Sequence, residues 1–190
     1  MNEQEVHELL EAHDAIRTGH FLLSSGKHSD VFVQLAAVLK WPGIAERLGH
    51  ELGARFKDSG ATVVLGPAMG GVIIGHEIAR YLGTPMIFSE REEGKMKLRR
   101  GFIIGSDDKV LIAENTVSTG GSQKEVVELA RSLGADVVGV AAICDRSPGV
   151  SFGVPFVPLL KLDAKAWDAD VCPLCADGSK PEAPGSRHLR

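Results

Sequence analysis

The stretch VLIAENTVSTGGS, residues 110–122, joins a strand-like apolar run to an acid and then to a turn rich in glycine and small hydroxyls. Val110 to Ala113 reads as a buried strand, Glu114 sits at its carboxyl end, and Ser118 to Ser122 leads into the helical spacing of Val126, Val127 and Ala130. The turn is therefore expected against a helix N-terminus, where the first backbone N–H groups lack partners and the helix dipole favours negative charge. A phosphate dianion binds there without any cationic side chain. Gly120 and Gly121 let the backbone come close, and Ser118, Thr119 and Ser122 add hydroxyl donors. Glu114 would repel a phosphate at contact distance and is better placed to accept hydrogen bonds from sugar hydroxyls. An acid followed by a phosphate cradle describes a ribose 5-phosphate site. A Walker A loop is excluded because no Lys follows the glycines, and GPAMGG at 66–71 is not GxGxxG. STGGS taken alone reads equally well as an ordinary strand-to-helix turn.

Outward from this stretch the chain has a regular rhythm. Strands are expected at Thr62 to Leu65, Met86 to Phe88, 137–143 and 156–162, with helices at Pro42 to Lys57, Val72 to Leu82 and 122–133. Glu3 to Thr18 reads as an amphipathic helix with Val6, Leu9, Leu10, His13 and Ile16 near one face and Gly19 as its stop. HFLLSSGKHSDVFVQ, residues 20–34, reads as short strands around a Ser-Gly turn. Buried strands alternating with helices indicate one α/β domain over 1–190, a mostly parallel sheet flanked by helices. Residues 1–40 should form a small N-terminal hood, and 168–190 a loosely ordered tail. Ligands bind such sheets beyond the carboxyl ends of the strands, so GPAMGG, ENTVSTGGS and CDRSPG should meet at one edge.

The bulk properties narrow the function classes. With 190 residues and 44% hydrophobic composition, one domain with a sizeable core is expected. A net charge of −4 provides no global basic field, so neither nucleic acid nor membrane is expected as a partner. No apolar stretch approaches the roughly 20 residues of a membrane span, and the acidic N-terminus is unlike a signal peptide, which points to the cytoplasm. Three cysteines argue against a disulfide framework, with Cys144 expected in a buried strand. Cys172 and Cys175 form CPLC, half of a zinc site. The other half is not evident in the chain: Cys144, His188 or a second subunit would have to supply it, and two inert thiols in a surface-packed tail are the preferred reading.

Other segments carry chemistry. Gly66 to Gly71 follows one strand and precedes a helix, so it forms a second anion cradle, with Gly70 and Gly71 presenting unobstructed N–H groups. Two cradles in one sheet suit a ligand phosphorylated at both ends, such as phosphoribosyl pyrophosphate (PRPP). SEREEGKMKLRR, 89–100, lacks clean periodicity and reads as a solvated loop or a lid. Arg91, Lys95 and Lys97 are its candidates for stabilising a pyrophosphate leaving group. Arg146 offers a rigid donor fork for an organic anion, or else caps the sheet edge or pairs with Asp145.

VLIAENTVSTGGS resembles the PRPP motif of type I phosphoribosyltransferases, with Asn115 where the second of two adjacent acids usually stands. GHFLLSSGKHSD, GPAMGG, EREEGKMKLRRGF, ENTVSTGGS and ICDRSPG occur in the order found in orotate phosphoribosyltransferases, and CPLC followed by PGSR is similar to a tail in one bacterial branch. The resemblance implies a type I phosphoribosyltransferase-like, Rossmann-like fold and a homodimer with shared active sites. It implies Mg2+-dependent transfer of ribose 5-phosphate from PRPP to orotate, the metal being held mainly through PRPP and not by direct side-chain ligation. By matching motif, Glu114 and Asn115 face the ribose hydroxyls, and Thr116, Val117, Ser118, Thr119, Gly120, Gly121 and Ser122 hold the 5′-phosphate. Met69, Gly70 and Gly71 complete the PRPP contacts. Ser118, Arg146 and Lys27 are assigned to orotate, and Arg91, Lys95 and Glu114 to catalysis, the first two on a mobile loop reaching the neighbouring subunit. Two further positions depart from the pattern. Many members carry Lys just before the Ser-Gly turn, where this chain has Ser24 and places Lys27 after it, and Gly70 stands where other branches carry Lys.

Asn115 bears on rate. At ~4.5 Å and an effective dielectric of ~20, a full charge pair is worth roughly 3–4 kcal/mol, about half of which applies to a partial oxocarbenium charge. An amide there is expected to slow turnover by about one to three orders of magnitude relative to Asp. Three readings follow: an orotate phosphoribosyltransferase, a catalytically weak PRPP- or nucleotide-binding regulator, and a purine phosphoribosyltransferase.

Overall fold

The computed structural model describes residues 1–23 and 25–184; Ser24, His188 and the Gly185 to Arg187 part of PGSR lie outside the described residues. Strands β3 (Val63–Pro67), β4 (Met86–Glu92), β6 (Lys109–Val117), β7 (Asp136–Asp145) and β8 (Phe156–Lys161) run parallel, and β5 (Lys95–Leu98) adds antiparallel to β4, giving the order β5-β4-β3-β6-β7-β8. The chain first builds outward from β3 to β4, then returns to lay β6 on the other side of β3. That reversal leaves a crevice beyond the ends of β3 and β6, where open α/β sheets bind ligands.

Strand alternation gives the sheet its two covered faces. Leu111 and Ala113 of β6 join Val64, Ala141 and Ile143 in one core cluster, beneath α3 (Pro42–Arg55) and α4 (Gly70–Leu82). Val110 and Ile112 point the other way, to Leu65, Val140 and the buried Val126, Val127 and Ala130 of α5 (Gly121–Ser132). α1 (Glu3–Ala12) and the short α2 (Ala36–Leu39) pack on the first face. A second sheet, β1 (Ile16–Leu22), β2 (His28–Val33) and β9 (Ala166–Trp167) in the order β1-β2-β9, forms the hood. Among the described residues no helix is long and apolar enough to cross a membrane.

Three expectations change. The first helix stops at Ala12, not Thr18: Asp14 takes a φ of 56°, and Ile16 to Thr18 pair with Val33 to Val31, so Gly19 lies inside a strand. Ile16 is buried under either periodicity, and the pairing strand decides between them. The polar segment after Phe88 begins as a β-hairpin, its turn made by Glu93 and Gly94 with φ of 51° and 81°, the two-positive-φ geometry of a tight hairpin. Its charges lack periodicity because they pair across the ribbon, Lys97 with Glu92 at 2.7 Å and Arg100 with Glu90 at 2.9 Å. The tail from 168 to 184 is packed on the hood: the Glu182 N–H donates to the His20 carbonyl and the Leu22 N–H to the Glu182 carbonyl, each at 2.8 Å.

Candidate active site

Helix α1 is closed at its start by its own side chains, Asn2 and Glu5 forming a reciprocal capping box. Neither α4 nor α5 has a side-chain cap. Both begin on the sheet edge described above, with orphan N–H groups turned to the crevice. In α5 the first intrahelical bond runs from the Lys124 N–H to the Gly120 carbonyl, which leaves the amides of Gly121, Ser122 and Gln123 for a ligand. Gly120 is required twice over: its φ is 78°, and an added Cβ would stand 2.6 Å from Val150 Cγ2.

The two loops meet over the acid. A Cβ placed on Gly70, the first residue of α4, would lie 2.5 Å from Glu114 Oε1 and 3.1 Å from Asn115 Oδ1. A side chain at 70 would therefore have to displace the ends of Glu114 and Asn115, so glycine lets the first loop close directly onto the acid. Glu114 is 6% exposed, accepting from Gln123 Nε2 at 2.7 Å and from the Asn115 N–H at 2.8 Å. Burial pushes its carboxyl up to about 7, and those two donors pull the other way. Thr116 and Val117 continue β6, so the turn proper starts at Ser118, which is exposed together with Thr119.

Arg146 follows β7, and its backbone N–H donates to the Val117 carbonyl at 2.8 Å, which sets it beside the phosphate turn. Its Nε is buried with no hydrogen-bond partner, and burial lowers the guanidinium's affinity for its proton. Asp145 does not neutralise it. That carboxylate accepts from the Ser147 N–H at 2.8 Å, and among the described residues Arg146 enters no ion pair. A half-buried cation left without an anion is a binding group waiting for one.

The other anticipated residues are placed as follows. Met69 is 82% exposed at the mouth of the first loop, beside Gly70 and Gly71. Arg91 and Lys95 stand on the two strands of the β4–β5 hairpin, and Arg91 reaches back to Glu125 of α5 at 3.0 and 3.1 Å. Lys27 is drawn to the tail, its Nζ 3.2 Å from Asp168 Oδ1. Gln123 and Glu125 had no signal in the sequence, since their roles come from where α5 lies against β6 and the hairpin.

Residues 34–152, which include both helix starts and the buried acid, match the family model for the phosphoribosyl transferase domain. The orotate phosphoribosyltransferase of Caldanaerobacter subterraneus subsp. tengcongensis is 48% identical over 190 residues, covering 100% of both chains. That of Thermotoga maritima is 50% identical over 186 residues, 97% of this chain and 100% of the relative. The crystal structure of orotate phosphoribosyltransferase from Aeropyrum pernix superposes with a TM-score of 0.69 at 24% identity, over 83% of this chain and 93% of that one, a likeness of fold. The chain belongs to the orotate phosphoribosyltransferase family, which are pentosyltransferases.

Proposed function

We propose that the chain transfers the ribose 5-phosphate unit of PRPP to a ring nitrogen of orotate, giving orotidine 5′-monophosphate and pyrophosphate. The observation that carries this reading is the unpaired Arg146 guanidinium beside two uncapped helix starts that converge on Glu114. A purine lacks the carboxylate such a cation would meet, so the site favours orotate over a neutral base.

In the bound complex the amides of Gly121, Ser122 and Gln123 and the hydroxyls of Ser118, Thr119 and Ser122 cradle the 5′-phosphate, with Thr116 and Val117 shaping the floor. Glu114 and Asn115 accept hydrogen bonds from the ribose hydroxyls. Met69, Gly70 and Gly71 present backbone to the pyrophosphate. Arg146 and Ser118 hold orotate, with Lys27 a further donor from the hood. The orotate ring nitrogen, giving up its proton to solvent, attacks the anomeric carbon as the bond to the pyrophosphate oxygen breaks, and pyrophosphate departs with the electron pair. Arg91 and Lys95 meet the charge that develops there, Arg91 being released from Glu125 as the hairpin swings; exposed ion pairs of this kind hold little free energy. Glu114 stabilises the oxocarbenium character of the ribose in its ionised form, which hydrogen bonds from the sugar favour.

Glu114 Oε1 and Asn115 Oδ1 converge beside Gly70 and are hard oxygen donors, which fits Mg2+ held mainly through the diphosphate and its water shell. When bound, Mg2+ neutralises pyrophosphate charge. A homodimer with the hairpin serving the neighbouring site is supported by exposed apolar residues around the crevice and its helix, Met69 at 82% and Ile73 at 46%. Three unpaired cysteines suit a reducing, cytoplasmic setting.

The test is incubation with PRPP, Mg2+ and either orotate or adenine. Orotate consumption with matching pyrophosphate release is expected. Adenine consumption in its place, or PRPP binding without turnover of either base, overturns the reading.

A further inference from the structure

The hood contains a polar cluster that phosphoribosyl transfer does not use. His20 lies near the end of β1 and His28 opens β2, and the hairpin register sets Leu22 opposite His28, so the two rings lie with centroids 4.8 Å apart. Trp167 of β9 pairs with His28, and a 3-10 turn at Ala169–Val171 then delivers Cys172 and, across the start of α6 (Pro173–Ala176), Cys175. The sequence shows only the CPLC half. Folding places two histidines from the opposite end of the chain beside it, a second half that the sequence did not make evident. Cys144 is no part of it, being buried in β7 between Thr116 and Leu160.

We propose that His20, His28, Cys172 and Cys175 bind one zinc ion in a closed tetrahedral site. His20 Nε2 is 2.9 Å from His28 Nδ1, 3.6 Å from Cys172 Sγ and 3.8 Å from Cys175 Sγ, and Cys175 Sγ is 3.3 Å from His28 Nδ1. Ligands at usual zinc bond lengths define a tetrahedron with edges of roughly 3.3–3.8 Å, and a shift of about 1 Å or less brings the four atoms to its corners. All four ligand atoms lie within 4.8 Å of one another. That spacing holds a single ion; a two-iron cluster would need the thiolate pair and the imidazole pair on separate metal atoms. Two sulfurs and two imidazole nitrogens select zinc over magnesium or calcium. Every corner is taken by the protein, so no position stays open for water or substrate and the ion's work is structural.

Burial strengthens the assignment. His20, His28 and Cys172 are 7%, 6% and 3% exposed, and Nδ1 of His20 is buried without a partner, so the polar contacts of that ring are all with the cluster. The elements around it are too short to hold themselves: β9 has 2 residues and α6 has 4. A metal staple supplies what so little core cannot. It ties the tail to the hood and fixes His28, and with it the adjoining turn that carries Lys27.

Metal analysis of untagged protein purified without chelator tests this directly. About one zinc per chain is expected, retained in Cys144→Ser and lost in Cys172→Ser/Cys175→Ser, with affinity falling by more than the roughly 100-fold that losing a hydrogen-bond partner of a metal ligand costs. Since the double variant can misfold, the wild-type chain is also exchanged with Co2+, which should give the visible bands of a tetrahedral ion and thiolate-to-metal charge transfer. Wild-type protein that carries no zinc and gives no such spectrum overturns the proposal. So does a stoichiometric Cys172–Cys175 disulfide in freshly purified protein.

Discussion

The crevice at the sheet edge and the cluster in the hood are both built from polar groups brought together from distant parts of the chain, yet they are finished differently. At the crevice, valences are left open: two helix starts without caps, a guanidinium nitrogen without an acceptor and a carboxyl whose burial pushes it up to about 7. In the hood, four ligand atoms from both ends of the chain face one another, three of them on buried residues. Open valences suit ligands that come and go; closed ones suit a resident. A lesion in the first region should therefore cost activity with little loss of stability, and a lesion in the second the reverse.

The largest expected effect is at Arg146. Arg146→Met should lower kcat/KM for orotate by about a hundred- to a thousandfold, the range for removing one side of a buried, hydrogen-bonded charge pair. Its thermal midpoint should be unchanged or higher, because the guanidinium has no partner to lose. A marked fall in the midpoint would mean that Arg146 holds the sheet edge together, and the contrast with the hood would break. Asn115→Asp should raise kcat by about one to three orders of magnitude, since a second charge beneath the ribose acts on the transition state. An unchanged steady-state rate would show that charge at this position is not limiting.

The smallest effect is on stability, at Glu114. The folded pKa of about 7 lies above the 4.5 of an unperturbed glutamate, so the folded chain binds more protons between those values. This group's contribution is fully present below about pH 4.5 and is lost as pH rises through about 7. Glu114→Gln should thus stabilise the ligand-free protein at pH 8 by roughly 2–3 kcal/mol, with the gain vanishing towards pH 4.5, while turnover is lost. Urea unfolding at both pH values measures it, and equal stability of the two proteins at pH 8 would show that the carboxylate is not strained in the crevice.

What could be seen in the sequence follows the same division. The phosphate turns were legible because strand, acid, hydroxyls and glycines occur consecutively, and buried strands alternating with helices foretold the two covered faces. The hood was not. His20 and His28 are brought together by hairpin register, and Cys172 and Cys175 reach them only after β9 has paired with β2. The end of α1 and the β4–β5 hairpin were misjudged for a related reason, since a partner strand decides each. Gln123 and Arg91 acquire their partners from helix placement, which no local pattern encodes.

The hood sheet is laid down by both ends of the chain: β1 and β2 come first in synthesis, β9 and the two cysteines last. A ribosome releases the N-terminal strands while their third partner and half of the metal ligands are still untranslated. The α/β body from β3 to β8 can pack in that interval. The third hood strand and the two cysteines wait until residue 175 is made, so translation itself orders the assembly, and a chain truncated before the CPLC segment would keep its phosphate loops and never complete the hood cluster.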